Sequence, residues 1–135
     1  MKMIVIDGQG GNVGRLLVKN IKESFPEVEI RAIGTNSVAT ANMLKAGADE
    51  AATGENAVIV GCRNADLIVG PIGIIIPDAL LGEVTAQMAQ AVGAAGATKI
   101  LIPLNKCEVL VAGVQDKSTG ELIDETIRMI RDIMK

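Results

Sequence analysis

The sequence contains no histidine, tyrosine or tryptophan, and a single phenylalanine, Phe25. Without histidine it lacks the usual proton-transfer group near neutral pH and the commonest metal ligand. With one aromatic ring, the core must be built from Ile, Val, Leu, Ala and Met. Cysteine is scarce too. Cys62 and Cys107 lie far apart in apolar surroundings and form no CxxC pair. They are expected as small buried residues in a reducing compartment, not as a disulfide framework or a zinc site. Basic clusters are also missing. Thirteen Lys and Arg against sixteen Asp and Glu give a net charge of -3, and a sequence-independent nucleic-acid binder needs a basic face. The longest apolar run, residues 67–76, is interrupted by Gly70, Pro71 and Gly73. A membrane helix needs about 20 apolar residues. The first strand pattern begins at once, with no leader-like segment before it. A cytoplasmic protein with no nucleic-acid or membrane partner is expected.

What is present is a chain of 135 residues, 49% hydrophobic, with 15 glycines. This length suits one domain, residues 1–135, burying roughly two-thirds of the unfolded surface. Met3-Ile4-Val5-Ile6 reads as a strand buried on both faces. Val13, Leu16, Leu17 and Ile21 then recur at helical spacing, with Arg15, Lys19, Lys22 and Glu23 opposite. Residues 28–33 form a second strand, nearer an edge. Asn36 or Ser37 caps the next helix, which ends at Gly47. Glu50-Ala51-Ala52 is a short strand. Thr53 caps a helix over residues 54–64, chosen over a strand at residues 57–60 because Asp66-Leu67-Ile68-Val69-Gly70 follows and needs a crossover before it. Residues 71–82 connect to a helix carrying Val84, Met88, Ala91 and Val92. Residues 99–102 are a strand, and residues 107–111 another. The link between these two is too short for a crossover helix, so they are expected to be antiparallel neighbours. Ser118-Thr119-Gly120-Glu121 is a capping box, and the last helix presents Ile123, Ile127, Ile130 and Met134 on one face. The expected fold is α/β, a three-layer Rossmann-like sandwich with a mostly parallel sheet and an antiparallel last strand.

The most informative stretch is Asp7-Gly8-Gln9-Gly10-Gly11-Asn12-Val13-Gly14, a strand end, a glycine-rich turn and a helix start. Gly8, Gly11 and Gly14 are spaced by three. In this context one glycine permits the turn, one allows close backbone approach, and one lets the helix lie on the strand. Free amides and the helix dipole then suit an anion. No Lys-Ser or Lys-Thr follows, so this is not a Walker A loop. Ligands of open α/β sheets sit at the carboxyl ends of the strands. The candidate binding residues are therefore Gly8, Gln9, Gly10, Gly11, Asn12, Val13 and Gly14, with Gly34, Thr35 and Asn36 after the second strand and Gly70, Pro71 and Ile72 after the fourth.

The turn resembles the nucleotide-binding turn of Rossmann-fold reductases of the dihydrodipicolinate reductase type, over about 30 residues. Across the chain, Asp7-Gly8-Gln9-Gly10-Gly11, Gly70-Pro71-Ile72-Gly73 and Ile102-Pro103-Leu104-Asn105-Lys106-Cys107 look like a family of small bacterial Rossmann-like proteins of unknown function. The first resemblance implies NAD(P) or another nucleotide as cofactor; the second implies no activity. Three departures count against a dehydrogenase. Gly34-Thr35-Asn36-Ser37 stands where an acid should meet the adenosine ribose. Asp7 puts a carboxylate before the turn. The proton-transfer residues Tyr and His are absent.

Asp7, Asp78 and Glu83 could meet at the strand ends and hold Mg²⁺. The favoured reading has Asp7 capping loop amides and Asp78 starting a helix after Pro77, with no metal. Asp66 belongs at the opposite end of the sheet. The apolar stretch 70–77 must be covered, first as a homodimer contact, then as a pocket wall, last by the chain's own helices. Asn105, Lys106 and Cys107 read as a plain turn. The leading expectation is a binding or regulatory module for a nucleotide or small phosphorylated ligand, acting as a homodimer, with no catalytic residue assigned. The alternatives are an NAD(P)-dependent oxidoreductase and a structural or interaction protein with no nucleotide ligand.

Overall fold

A computed structural model of the chain describes residues 1–104 and 109–135. Its elements are β1 (Met3–Asp7), α1 (Asn12–Ser24), β2 (Ile30–Gly34), α2 (Ser37–Lys45), β3 (Glu50–Thr53), α3 (Glu55–Cys62), β4 (Leu67–Pro71), a 3-10 helix (Ile72–Ile75), α4 (Ala86–Ala94), β5 (Thr98–Ile102) and α5 (Thr119–Ile133). The five strands form one sheet in the order β3-β2-β1-β4-β5. Every pairing is parallel.

The apolar runs divide by alternation, as strands covered on both faces should. Met3, Val5, Ile30, Ala32, Leu67, Val69, Ile100 and Ile102 pack under α1, α2 and α5. Ile4, Ile6, Ile33 and Ile68 pack against Val58 and Cys62 of α3 and Met88, Ala89 and Val92 of α4. The result is three layers, with the sheet in the middle. β2 lies beside the edge strand β3, as its more alternating sequence suggested. The expected helix around residues 57–60 is α3. No helix among the described residues is long and apolar enough to cross a membrane.

Local signals explain most boundaries. Asn36 Oδ1 accepts the Ala39 amide and caps α2. Gly47 ends that helix at φ 121°, where its N–H donates to Leu44 O. Ser118 and Glu121 form the reciprocal capping box of α5.

Three expectations are corrected. The last strand is not antiparallel: all five strands are parallel, and residues 109–111 are coil. Residues 105–107, including Cys107, lie outside the described residues. Val111 and Val114 line a groove of about 420 Å³ between β5 and α5 instead of pairing with the β5 edge. Thr53 is the last residue of β3, and α3 starts from Gly54 at φ 103° without a side-chain cap. Asp78 does not start a helix: it lies at φ 66°, and α4 begins at Ala86, capped by Thr85. Burial along the stretch 70–77 is uneven: Ile72, Ile75 and Ile76 are half-buried and Pro77 is exposed. Gly70 and Pro71 are buried in β4, and Gly73 and Ile74 are buried in the 3-10 helix, with Ile74 packed among α3 and α4 residues.

Gly70 shows how tightly the sheet centre is built. A Cβ there would strike the Ile6 carbonyl oxygen of the neighbouring strand. Backbone in a central sheet cannot move aside. Gly70→Ala should therefore cost about 1–3 kcal/mol, read as a lower urea midpoint. An unchanged midpoint would contradict this packing.

Candidate functional site

The strand order reverses direction at β1, so the loops after β1, β2 and β4 surround the crevice at the sheet's carboxyl edge. The site is built around two carboxylates. Asp7 ends β1 and is 4% exposed. Its Oδ1 accepts the Gly8 N–H at 2.8 Å, and its Oδ2 accepts the Gly14 N–H at 2.6 Å. Asp7 thus occupies the amide end of α1 from beneath. Burial raises its pKa, opposed by the N–H groups of Gly14, Gly8 and Val13, while the nearby negative charge of Glu83 adds to the rise. The expectation that Asp7 caps loop amides is met.

Glu83 comes from the loop between the 3-10 helix and α4, and it joins three segments. Its Oε1 accepts the Gln9 N–H at 2.8 Å, the Thr35 hydroxyl at 2.6 Å and the Asn36 side-chain amide at 2.7 Å. Partial burial acts to raise its pKa. The bonds from Thr35, Gln9 and Asn36 together outweigh that, and the net shift is downward. Glu83 is therefore an ionised acceptor at neutral pH. Its Oε2 has no partner among the described residues.

Asn36 makes three of the four hydrogen bonds open to its side-chain amide. Its amide nitrogen donates to Gln9 O at 2.9 Å as well as to Glu83, and its oxygen caps α2. Gln9 sits at φ 50°, a conformation non-glycine residues adopt rarely. From α2, Asn42 donates to Gly10 O at 2.7 Å.

The turn glycines have internal reasons. A Cβ on Gly8 would meet Thr35, Leu80 and Glu83. Gly11, at φ 74°, lies against the Ala39 backbone of α2, and Gly14 faces Met43 and Asp7. Gly34 is closed in by Thr40.

Of the sequence-predicted residues, Gly8, Gln9, Thr35 and Asn36 come together around Glu83. Gly10 and Asn12 are exposed on the turn; among the described residues nothing accepts from their amides. Gly11, Val13, Gly14 and Gly34 pack internally. Gly70 and Pro71 lie inside β4, and Ile72 lines the separate groove beside β5 and α5. Sequence reasoning considered Glu83 only as a metal ligand and missed Asn42. The available signal for Glu83 was its place in the loop leaving β4, at the same sheet edge as the glycine turn.

The sign of the Glu83 contribution can be tested. Its folded pKa is lowered, so its stabilisation is full well above the ordinary value of 4.5. It is lost as pH falls through the folded value. Glu83→Gln should cost about 1 kcal/mol at pH 7, because charged acceptors bond more strongly than neutral ones. That gap should close by pH 3. Asp7 keeps its burial and amide partners in both proteins, while the share of its raised pKa that comes from the Glu83 charge is relieved in the variant and offsets part of the cost at pH 7. Melting curves at the two pH values check this; a gap that persists at pH 3 would contradict it.

Comparison with known proteins gives a family but no activity. No curated protein sequence matches this chain. Among solved structures, it is similar to a dodecameric FMN-dependent UbiX-like decarboxylase from Escherichia coli O157:H7. That likeness has 14% identity and a TM-score of 0.47, covering 99% of this chain and 94% of the other. A family profile aligns with residues 2–135, nearly the whole sequence. On that match, the chain belongs to the family described as domain of unknown function (DUF3842).

Proposed function

We propose that this protein is a binding module for a nucleotide-type ligand at the carboxyl edge of its sheet, with Glu83 receiving the ribose hydroxyls. The observation that carries this reading is the Glu83 carboxylate. One oxygen is pinned by donors from the β1 and β2 loops, and the other has no partner among the described residues. In open α/β sheets an acid at the end of β2 meets the ribose. Here the β2 end offers Thr35 and Asn36, and these hold an acid supplied by a different loop.

The charge balance refines the ligand class. Asp7 already compensates the positive end of α1. A phosphate would rely on the exposed Gly10 and Asn12 amides of the turn. A ribose diol offers two donors to an acceptor-only carboxylate. A phosphate in the same position would be repelled. A ligand with an unmodified ribose is therefore favoured over one phosphorylated at that sugar.

A second reading, a structural or interaction protein without a nucleotide, draws on the glycine contacts. Gly8, Gly11 and Gly14 each face atoms of the chain itself, so their presence requires no ligand.

A thermal-shift series separates the two. NAD⁺, ATP, GTP and FAD carry a free diol on the ribose next to the base, NADP⁺ has the diol of its adenosine ribose, though not of its nicotinamide ribose, blocked by a 2′-phosphate, and 3′,5′-cyclic nucleotides lack the diol. At about 100 times its dissociation constant, a ligand adds about 2.7 kcal/mol of stability. NAD⁺ or another diol-bearing nucleotide should raise the melting temperature. NADP⁺ and the cyclic nucleotides should raise it less, and Glu83→Ala should abolish the shift. No shift with any member of the series would overturn the binding reading in favour of the structural one.

A further inference from the structure

We infer that residues 76–85 form a hinged lid over the crevice, with Glu83 as its latch. The inference rests on the ligand-site reading for what the lid covers, but not for how it moves.

The loop holds its own shape. Asp78 N–H donates to Val84 O at 2.7 Å, so the two ends meet. Within them, Gly82 N–H reaches Asp78 O, Glu83 N–H reaches Leu80 O, and Val84 N–H reaches Ala79 O. Ala79 N–H closes back onto Ile76 O. Among the described residues, these backbone bonds from positions 78–84 all end within the loop. Such self-contained loops with adjoining ends are Ω-loops, which are often functional. A segment bonded mainly to itself opens as one cooperative unit, and once off the body its short internal bonds are exposed to water.

Its attachment to the body is narrow. Leu80 and Val84 are buried beneath it. Its polar attachments are Glu83 Oε1, which takes three bonds from Gln9, Thr35 and Asn36, and, at the α4 end, the Thr85 hydroxyl, which donates to Glu55 Oε1 at 2.7 Å. The loop backbone is also unfavourable where it stands. Asp78, Leu80 and Leu81 have φ of 66°, 57° and 56°, values that non-glycine residues reach only when the surroundings impose them. Leu81, at the tip, is 95% exposed, so burial of its own side chain does not stabilise this conformation. The closed position thus depends on the Glu83 contacts at the tip side, the Thr85–Glu55 bond at the α4 end, and the apolar anchors Leu80 and Val84 with Ala79 beside them. Ile76 on one side and Thr85 on the other, just before α4, are the natural hinges.

Opening would withdraw Glu83 from the crevice and release the Gln9, Thr35 and Asn36 donors together. Closing would return a fixed acceptor to the site. A ligand whose hydroxyls bond Glu83 would then favour the closed form.

Amide hydrogen exchange on the full chain, followed by NMR, tests the lid without any ligand. The amides of Asp78, Gly82, Glu83 and Val84, together with that of Gln9, should exchange as one group. Their rate should be at least about tenfold faster than that of the β1 amides of Val5 and Ile6, as sub-global opening requires. Glu83→Gln should speed this group several-fold and leave Val5 and Ile6 unchanged, which also shows that the variant is folded. Exchange of the group at the β1 rate in the unaltered protein, or a group unaffected by Glu83→Gln, would overturn the lid. A separate arm with added NAD⁺ reads the site. Slowed exchange of the group supports a lid that closes on ligand. A lid that opens as described but ignores NAD⁺, in a protein whose melting temperature no nucleotide moves, overturns the reading of the site and not the hinge.

Discussion

A carboxylate buried at the end of a central strand must find hydrogen-bond donors, and much of this molecule's site follows from how Asp7 finds them. An unpaired buried charge would be costly. Asp7 meets the requirement by turning the chain sharply back over itself, so that the amides of Gly8 and Gly14 both reach its oxygens. That turn needs glycine at position 11, where φ is positive and an added Cβ would lie 2.7 Å from the Ala39 Cα. It also leaves Gln9 in a left-handed conformation with its N–H available to Glu83. The first carboxylate thus fixes the turn, and the turn presents a donor to the second.

This arrangement changes what a glycine-rich turn of this kind is suited to bind. In a dinucleotide site the helix end is left open to the pyrophosphate. Here the helix end is occupied from below by the chain's own acid. The crevice then has a negative character, concentrated at Glu83, whose lowered pKa keeps it ionised at neutral pH. Groups that donate hydrogen bonds fit beside it better than groups that carry negative charge. The ribose of a nucleotide satisfies this condition, and its phosphates must lie toward the exposed Gly10 and Asn12.

How much of this could be read from the chain depends on sequence distance. Signals that act within one turn of helix were legible: the Ser118 capping box, the Asn36 cap, the Gly47 stop and the strand–turn–helix at Gly8 all stand where the residues indicated. The three layers followed from the alternating apolar runs. The last strand was misread because residues 107–111 offer an apolar run, and such a run is the same whether it pairs with a strand or lines a groove. Asp78 was misread because a residue after proline often starts a helix, whereas here the loop closes on itself before α4 begins. Glu83 was expected at the strand ends, but its role in joining three segments was not legible. Its partners lie 74, 48 and 47 residues away. No local pattern marks an acid in a connecting loop as the group that draws two other loops together. Only the strand order, which places the β1, β2 and β4 loops at one edge, brings it there.

The central claim is that Glu83, held by the β1 and β2 loops, is the receiving group of a ligand site. NMR shift mapping with NAD⁺ on the isotope-labelled protein tests it most directly. The account predicts that the largest changes fall on the Gln9 backbone amide, the Asn36 side-chain amide and the amides of Gly10 and Asn12, and that they saturate together. Changes confined to the groove between β5 and α5, or none at concentrations up to several millimolar, would contradict it.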